Sequence, residues 1–331
     1  MLLTKSRSRR LELAPQMADY DALGVSWHPY IMYFHSPNFR SAAVNTDSFG
    51  FRKTETSNGP LSPLSDLGTS EISVITGGST AFGVGAETDS GTIASHLSRN
   101  TDRVWLNMSG RAFAAYQEFA LFSHFHTDMP RIKSVVIVSG FNNLFLALRN
   151  LPFEMPLGSF FYQKDYNVAM GSQMSGRREQ LRRLLRGSSP DNSVISRTID
   201  EAVKLAIETT RRSLQLWMAL AQYRGFSLTF ALQPNAMWSH RVPSSQETLL
   251  FESLEEIDPN LNSLLRRLTH DSYDRYSESL SLLAADHDIR YVDLNRFMHS
   301  QSTHPATFYV DRVHYTSLGY QHIASALQSQ M

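Results

Sequence analysis

Val74-Ile75-Thr76-Gly77-Gly78-Ser79-Thr80-Ala81-Phe82-Gly83 reads as a strand, a sharp turn and the start of a helix. A β-branched run stops at two glycines, and a serine follows at once. In α/β proteins this pattern delivers a polar side chain to the carboxyl end of a strand, where chemistry is done. Strand-to-helix turns of this kind are also ordinary. The serine acquires meaning only if the chain supplies a base, an orienting acid and donors for a developing anion.

The strand–helix rhythm continues outward from this stretch. Ile72 to Thr76 is the first core strand, and Thr92 to Ser98 reads as a helix. Arg103 to Asn107 is a second strand, and Arg111 to His126 places Phe113, Tyr116 and Ala120 at helical spacing. Ser134 to Ser139 is a near-continuous apolar strand of the kind buried on both faces. Thr198 to Tyr223 reads as a long helix, Ser227 to Leu232 as the fourth strand, Asp271 to Asp286 as a helix and Arg290 to Asp293 as the fifth strand. An amphipathic helix follows Thr316. Parallel neighbours need crossover connections, and right-handed crossovers lead to a doubly wound five-stranded parallel sheet with helices on both faces, an α/β fold.

Upstream, residues 1–70 read as an N-terminal extension packing on a catalytic domain at 71–331. Trp27 to Phe34 is an aromatic extended piece, Val44 to Arg52 a turn followed by an edge strand, and Thr54 to Asp66 a loop. Residues 151–196, rich in Gly and Pro, read as an insertion, and 236 to about 269 as a second variable stretch.

The chain has 331 residues, 42% of them hydrophobic and 11% aromatic, which suffices for a sizeable core. Its 31 Lys and Arg balance 31 Asp and Glu, so it lacks the basic excess of a nucleic-acid binder. There is no cysteine, which excludes disulfides and thiolate catalysis. The basic opening, Met1 to Arg10, has no apolar run behind it, and no run approaches the roughly 18 residues of a membrane span. A cytoplasmic protein with no stable membrane insertion is expected; oligomeric state is open.

Each core strand leaves a loop on one rim of the sheet. Ser79 follows the first, Asn107-Met108-Ser109-Gly110 the second, and Gly140-Phe141-Asn142-Asn143 the third. Asp311-Arg312-Val313-His314 comes just before the last helix. Singly, each has a plain alternative: Asn142 as the cap of a helix beginning at Leu144, Gly110 as a turn residue, Asp-x-x-His as a chance spacing. In order and together they are the parts that acyl transfer requires.

This set resembles the SGNH (GDSL-like) hydrolase superfamily. Gly77-Gly78-Ser79 stands at the nucleophile block, Gly110 and Asn142 at the next two, and Asp311-x-x-His314 at the acid–base block. The resemblance covers about Glu71 to Met331. Asn45…Gly50-Phe51-Arg52 also looks like an N-terminal extension of bacterial members. Two residues depart from the pattern: Gly78 stands where an aspartate is usual, with little expected effect on chemistry, and Asn143 replaces an aspartate that supports the loop.

The resemblance implies a flavodoxin-like sheet and a serine esterase that needs neither cofactor nor metal. Ser79 would be the nucleophile, His314 its base and Asp311 the acid that holds the imidazole. An unperturbed histidine titrates near pH 6.5, suited to taking and returning a proton. The oxyanion hole would combine Ser79 N–H, Gly110 N–H and the Asn142 amide. The expected substrate is an O-acyl or O-acetyl ester on a carbohydrate or small molecule. Two rivals stay open: an O-acyltransferase using the same residues, and a non-catalytic accessory or binding protein on the same fold.

Other signals read more plainly. His124-x-His126-x-Asp128 suggests a metal, but residues two apart on a helix point to nearly opposite sides. Gly83-Val84-Gly85 lacks the third glycine of a dinucleotide fingerprint. Arg177, Arg178, Arg182, Arg183 and Arg186 form either a solvated helical face or an anion-binding lid. Phe160, Phe161, Tyr162 and Trp238 line a pocket or pack near the rim.

Overall fold

A computed structural model of the chain describes residues 2–65, 67–68, 70–149, 159–174, 197–300 and 305–331. Nine strands lie among the described residues. Two short antiparallel hairpins come first, β1 (Val25–His28) with β2 (Met32–His35) and β3 (Thr54–Thr56) with β4 (Gly59–Leu61). The core strands are β5 (Ile72–Gly77), β6 (Val104–Ser109), β7 (Ile132–Ser139), β8 (Ser227–Leu232) and β9 (Arg290–Asp293). They pair in parallel in the order β6-β5-β7-β8-β9. The expected five-stranded doubly wound sheet is therefore present.

The strand pleat explains the two layers of core. Val74, Leu106, Val135 and Ile137 face one layer with Leu121, Leu144, Ala206 and Leu280. Ile75, Trp105, Val136 and Val138 face the other with Leu97, Met298 and Ile323. Successive strand side chains point to opposite faces, so a run such as Val135-Val136-Ile137-Val138 feeds both layers at once.

Several helices begin where their capping residues dictate. Thr198 starts the helix Ile199–Arg224 as half of a capping box: its hydroxyl accepts from Glu201 N–H at 3.3 Å, and the Glu201 carboxylate accepts from Thr198 N–H at 2.9 Å. Thr92 and Thr316 accept in the same way from Ser95 N–H and Gly319 N–H, opening Ile93–Asn100 and Ser317–Ser329.

Local readings needed correction in five places. Val44 to Arg52 forms a single bridge, Thr46 to Arg52, and no edge strand, because the chain between them is a tight turn: Asp47 N–H donates to the Phe51 carbonyl at 2.9 Å and Gly50 has a φ of 98°. The expected loop at 54–66 holds the β3–β4 hairpin, and the variable stretch after 236 holds helices Ser245–Ile257 and Pro259–Arg266. The helix expected from Arg111 begins at Ala115, since 110–114 is taken up by a turn in which Ala112 has a φ of 56°. Helices Leu2–Leu13, Met17–Ala22 and Leu294–Ser300 add to the expected elements. No described helix is long and apolar enough to cross a membrane. The arginines at 177, 178, 182, 183 and 186 lie outside the described residues.

Candidate active site

The sheet order reverses at β5: the chain moves first to β6 on one side, then to β7 on the other. The crevice beyond the carboxyl ends of these strands is the switch point where doubly wound proteins bind ligands. The loops carrying Ser79, Gly110 and Asn142 leave from β5, β6 and β7.

Ser79 opens a one-turn helix, Ser79–Phe82. Gly77 has a φ of +144°, and a Cβ there would lie 2.1 Å from the Val138 carbonyl oxygen, so only glycine lets β5 turn this closely against β7. The serine is half-buried and reaches across the chain. Its Oγ lies 2.7 Å from His314 Nε2. His314 Nδ1 lies 2.6 Å from Asp311 Oδ2, and Asp311 Oδ1 accepts from the N–H groups of Val313 and His314, both at 2.8 Å. Burial would raise the Asp311 pKa, but the adjacent imidazole and these hydrogen bonds together hold it below its ordinary value. The three residues thus make one continuous relay from carboxylate to hydroxyl.

The acid–base loop is tied down on both sides. Ala236 N–H donates to the Arg312 carbonyl at 2.8 Å, linking it to the loop after β8. The Thr80 hydroxyl donates to the Val313 carbonyl at 3.2 Å and accepts from Gln233 Nε2 at 3.2 Å. Further back, Glu247 accepts from Phe308 and Tyr309 N–H at 2.7 and 3.0 Å while pairing with buried Arg241 at 2.6 Å.

The three expected oxyanion donors divide. Asn142 is buried in the first turn of the helix Phe141–Leu148, whose N-cap is Gly140, so it does not serve as the cap. One hydrogen of its amide goes to the Phe113 carbonyl at 2.8 Å, which leaves the second for another acceptor. Ser79 N–H heads its helix, where no intrahelical acceptor exists. Gly110 departs from expectation: its N–H donates to the Gly77 carbonyl at 3.1 Å, continuing the parallel ladder past the last strand residue. It is engaged, not open.

Asn143, the second departure from the family pattern, anchors its loop well. Its Oδ1 accepts from Ala115 N–H at 3.0 Å, and its Nδ2 donates to Thr210 Oγ1 at 3.1 Å. An amide offers one acceptor and one donor group here, where a carboxylate would only accept.

Reading by motif passes over the residues that hold the Gly110 loop. His35 is buried, and burial, reinforced by nearby Arg111, pushes its pKa well below the usual value. The neutral ring donates from Nδ1 to the Gly50 carbonyl at 3.0 Å and accepts from Arg111 N–H on Nε2 at 3.0 Å. Tyr33 donates to the Ala112 carbonyl at 2.7 Å, and the Arg111 guanidinium donates to the Tyr20 carbonyl at 2.8 Å. A lone histidine and tyrosine in an aromatic run carry no sequence signal for this.

The remaining candidates pack. Phe161 stacks on Phe145 at 5.9 Å, Tyr162 meets Tyr33 edge-on at 5.2 Å, and Phe160 meets Tyr166 at 5.5 Å. Trp238 is buried against Phe141 and Tyr273. His126 stacks on Phe122 while His124 meets Phe125 edge-on, so their rings part. No described group of three or more such ligands is placed to hold a metal ion.

Comparison with known proteins finds no matching family model and no matching curated protein. Among solved structures the chain is similar to a lipolytic protein of the G-D-S-L family from Veillonella parvula, at 11% identity over 78% of this chain and 97% of that one, with a TM-score of 0.44. An extracellular lipase from Streptomyces rimosus is 13% identical over 79% of this chain and 100% of that one, with a TM-score of 0.46. Phospholipase A1 from Streptomyces albidoflavus is 11% identical over 80% and 100%, also with a TM-score of 0.46. At these values what the site does rests on its own atoms. The five-stranded all-parallel sheet, with its rim loops at the switch point, is the fold that the SGNH resemblance implies.

Proposed function

We propose that the chain is a serine ester hydrolase of SGNH type, cleaving an O-acyl group from a carbohydrate or a similar small ester through an acyl-enzyme. One observation carries this reading: Ser79 Oγ, His314 and Asp311 stand in hydrogen-bonded series at 2.7 and 2.6 Å. The catalytic unit is 71–331, with 1–70 as an extension and 151–196 as an insertion.

The chemistry follows from the atoms. His314 Nε2 takes the Ser79 proton as Oγ attacks the ester carbonyl carbon. Asp311, held ionised, keeps the Nδ1–H tautomer and stabilises the imidazolium. The carbonyl oxygen becomes negative and accepts from Ser79 N–H and the second Asn142 amide hydrogen. Gly110 N–H joins by exchanging the Gly77 carbonyl for the oxyanion, the stronger acceptor of the two because it is charged. His314 then returns the proton to the leaving alcohol. Water repeats the sequence on the acyl-enzyme, releasing the acid and restoring Ser79.

A non-catalytic accessory role would be marked by Ser79 and His314 out of reach of one another, and they are in reach. An acyltransferase shares every step but the last, so product analysis with a sugar acceptor separates it from a hydrolase. The primary test is covalent labelling by a fluorophosphonate together with turnover of an aryl acetate. Ser79→Ala is expected to abolish both; unchanged turnover in that variant sinks the reading.

A further inference from the structure

We infer that Arg52, far upstream of the rim loops, is a positioning residue for the nucleophile, holding the turn that presents Ser79. The inference rests on the proposed role of Ser79.

The helix bearing Ser79 is a single turn, Ser79–Phe82, and one turn of helix is not stable alone. Its carboxyl end must be held from outside. Arg52 supplies the hold: its Nη1 donates to the carbonyls of Phe82 at 3.1 Å and Gly83 at 2.7 Å. The guanidinium is fully buried and also carries the pairing that makes this tolerable, Nε to Asp89 Oδ1 at 2.9 Å. Nη2 donates to the Ala43 carbonyl at 2.7 Å. Tyr20 completes the arrangement: its hydroxyl accepts from Arg52 Nη1 at 2.9 Å and lies 2.9 Å from the carbonyls of Gly83 and Ala86.

Two physical features make Arg52 more than a buried ion pair. A cation at the carboxyl end of the turn gives a charged donor to carbonyls that are otherwise reached only by neutral ones, Asn107 Nδ2 on Phe82 at 3.2 Å and the Tyr20 hydroxyl and Ala86 N–H on Gly83 at 2.9 and 3.2 Å, and it complements the helix dipole. The planar fork also fixes direction, since its nitrogens bind carbonyl and carboxylate acceptors at once, which an ammonium cannot reproduce. Ser79 Oγ is three residues from the held carbonyl of Phe82, so slack there moves the hydroxyl relative to His314.

The test compares Arg52→Lys and Tyr20→Phe with the unaltered chain. Arg52→Lys keeps a charge for Asp89 but loses the fork; Tyr20→Phe keeps the ring and all charges. Three quantities are read on folded protein: kcat and KM for an aryl acetate, the second-order rate of fluorophosphonate labelling, and backbone hydrogen exchange over 79–86. In Arg52→Lys, kcat and labelling rate are expected to fall about 10–100-fold with KM changed less than about threefold, the loss expected of a slightly misplaced reacting group. Exchange over 79–86 should rise in both variants, with a smaller loss of kcat in Tyr20→Phe.

Unchanged kcat and labelling in a folded Arg52→Lys protein would overturn the inference, as would unchanged exchange over 79–86. If Arg52→Lys does not fold, Tyr20→Phe decides by the same criteria. Failure of the underlying reading looks different: the unaltered chain would show no turnover or labelling dependent on Ser79. The exchange of 79–86 would then alone decide whether Arg52 holds the turn.

Discussion

The amide nitrogen of Asn142 lies 2.8 Å from the point where a side chain on Gly78 would begin. The absence of a Cβ at 78 is therefore what lets this amide approach the nucleophile turn. In Gly78→Ala the Asn142 side chain must withdraw, weakening one oxyanion donor. The expected result is a fall in kcat of up to about 10²–10³ with little change in KM, read by steady-state kinetics on an aryl acetate.

Asp311 holds the tautomer of His314 by a single hydrogen bond from Nδ1. Asp311→Asn can present an N–H to that nitrogen and so favours the wrong tautomer, with the proton on Nε2 facing Ser79. A loss of about 10⁴ in kcat is expected. Because the carboxyl of Asp311 titrates below its ordinary value, it stays ionised as the pH falls into the range where free aspartates protonate. Its contribution to stability is present above the unfolded-state value and is lost only as the pH drops through the lower folded value. Acid unfolding curves of the Asn variant and the parent should converge only at that low pH.

Glu118 is buried beneath the third rim loop, where its Oε1 accepts from Ser139 Oγ at 2.7 Å. Burial pushes its pKa up from 4.5 to about 8. The folded chain binds this proton more tightly than the unfolded chain, so stability falls as the pH rises from about 4.5 to about 8. Glu118→Gln keeps the acceptor and removes the titration. Its Tm should lie close to the parent's at pH 5 and above it at pH 8; a parent Tm independent of pH in this window counts against the assignment.

Arg241 and Glu247 form an ion pair with both side chains almost fully buried. Glu247→Ala would leave the arginine charge without this carboxylate, a loss of about 3–5 kcal/mol. The N–H groups of Phe308 and Tyr309 lose their acceptor too, just ahead of the acid–base loop. A lower Tm should therefore be accompanied by lower kcat in the protein that remains folded.

The sheet was legible because its signals are local and strong: Val135-Val136-Ile137-Val138 is short and wholly β-branched, as a buried strand is, and Thr198 with Glu201 marks a helix start within four residues. The hydrogen-bonded series Ser79, His314 and Asp311 was legible by order alone. What escaped depends on side chains meeting across long separations. Nothing near Arg52 in the sequence says that it turns inward to Asp89, and nothing near His35 says that it receives Arg111 N–H. The engagement of Gly110 N–H by Gly77 likewise depends on how far the β5–β6 ladder runs, which residue types do not specify.

The hydrogen bond between Ser79 and His314 closes a separation of 235 residues. Contacts this distant in sequence form late, after the local helices and hairpins, because the entropy of closing so large a loop must be met first. As the proposed nucleophile, Ser79 is thus silent until the whole sheet and its last loop have come together. During refolding from denaturant, fluorophosphonate labelling should lag behind the recovery of helical circular dichroism. On the proposed reading this carries a safeguard: a half-folded chain exposes Ser79 as an ordinary serine, inert toward the esters around it.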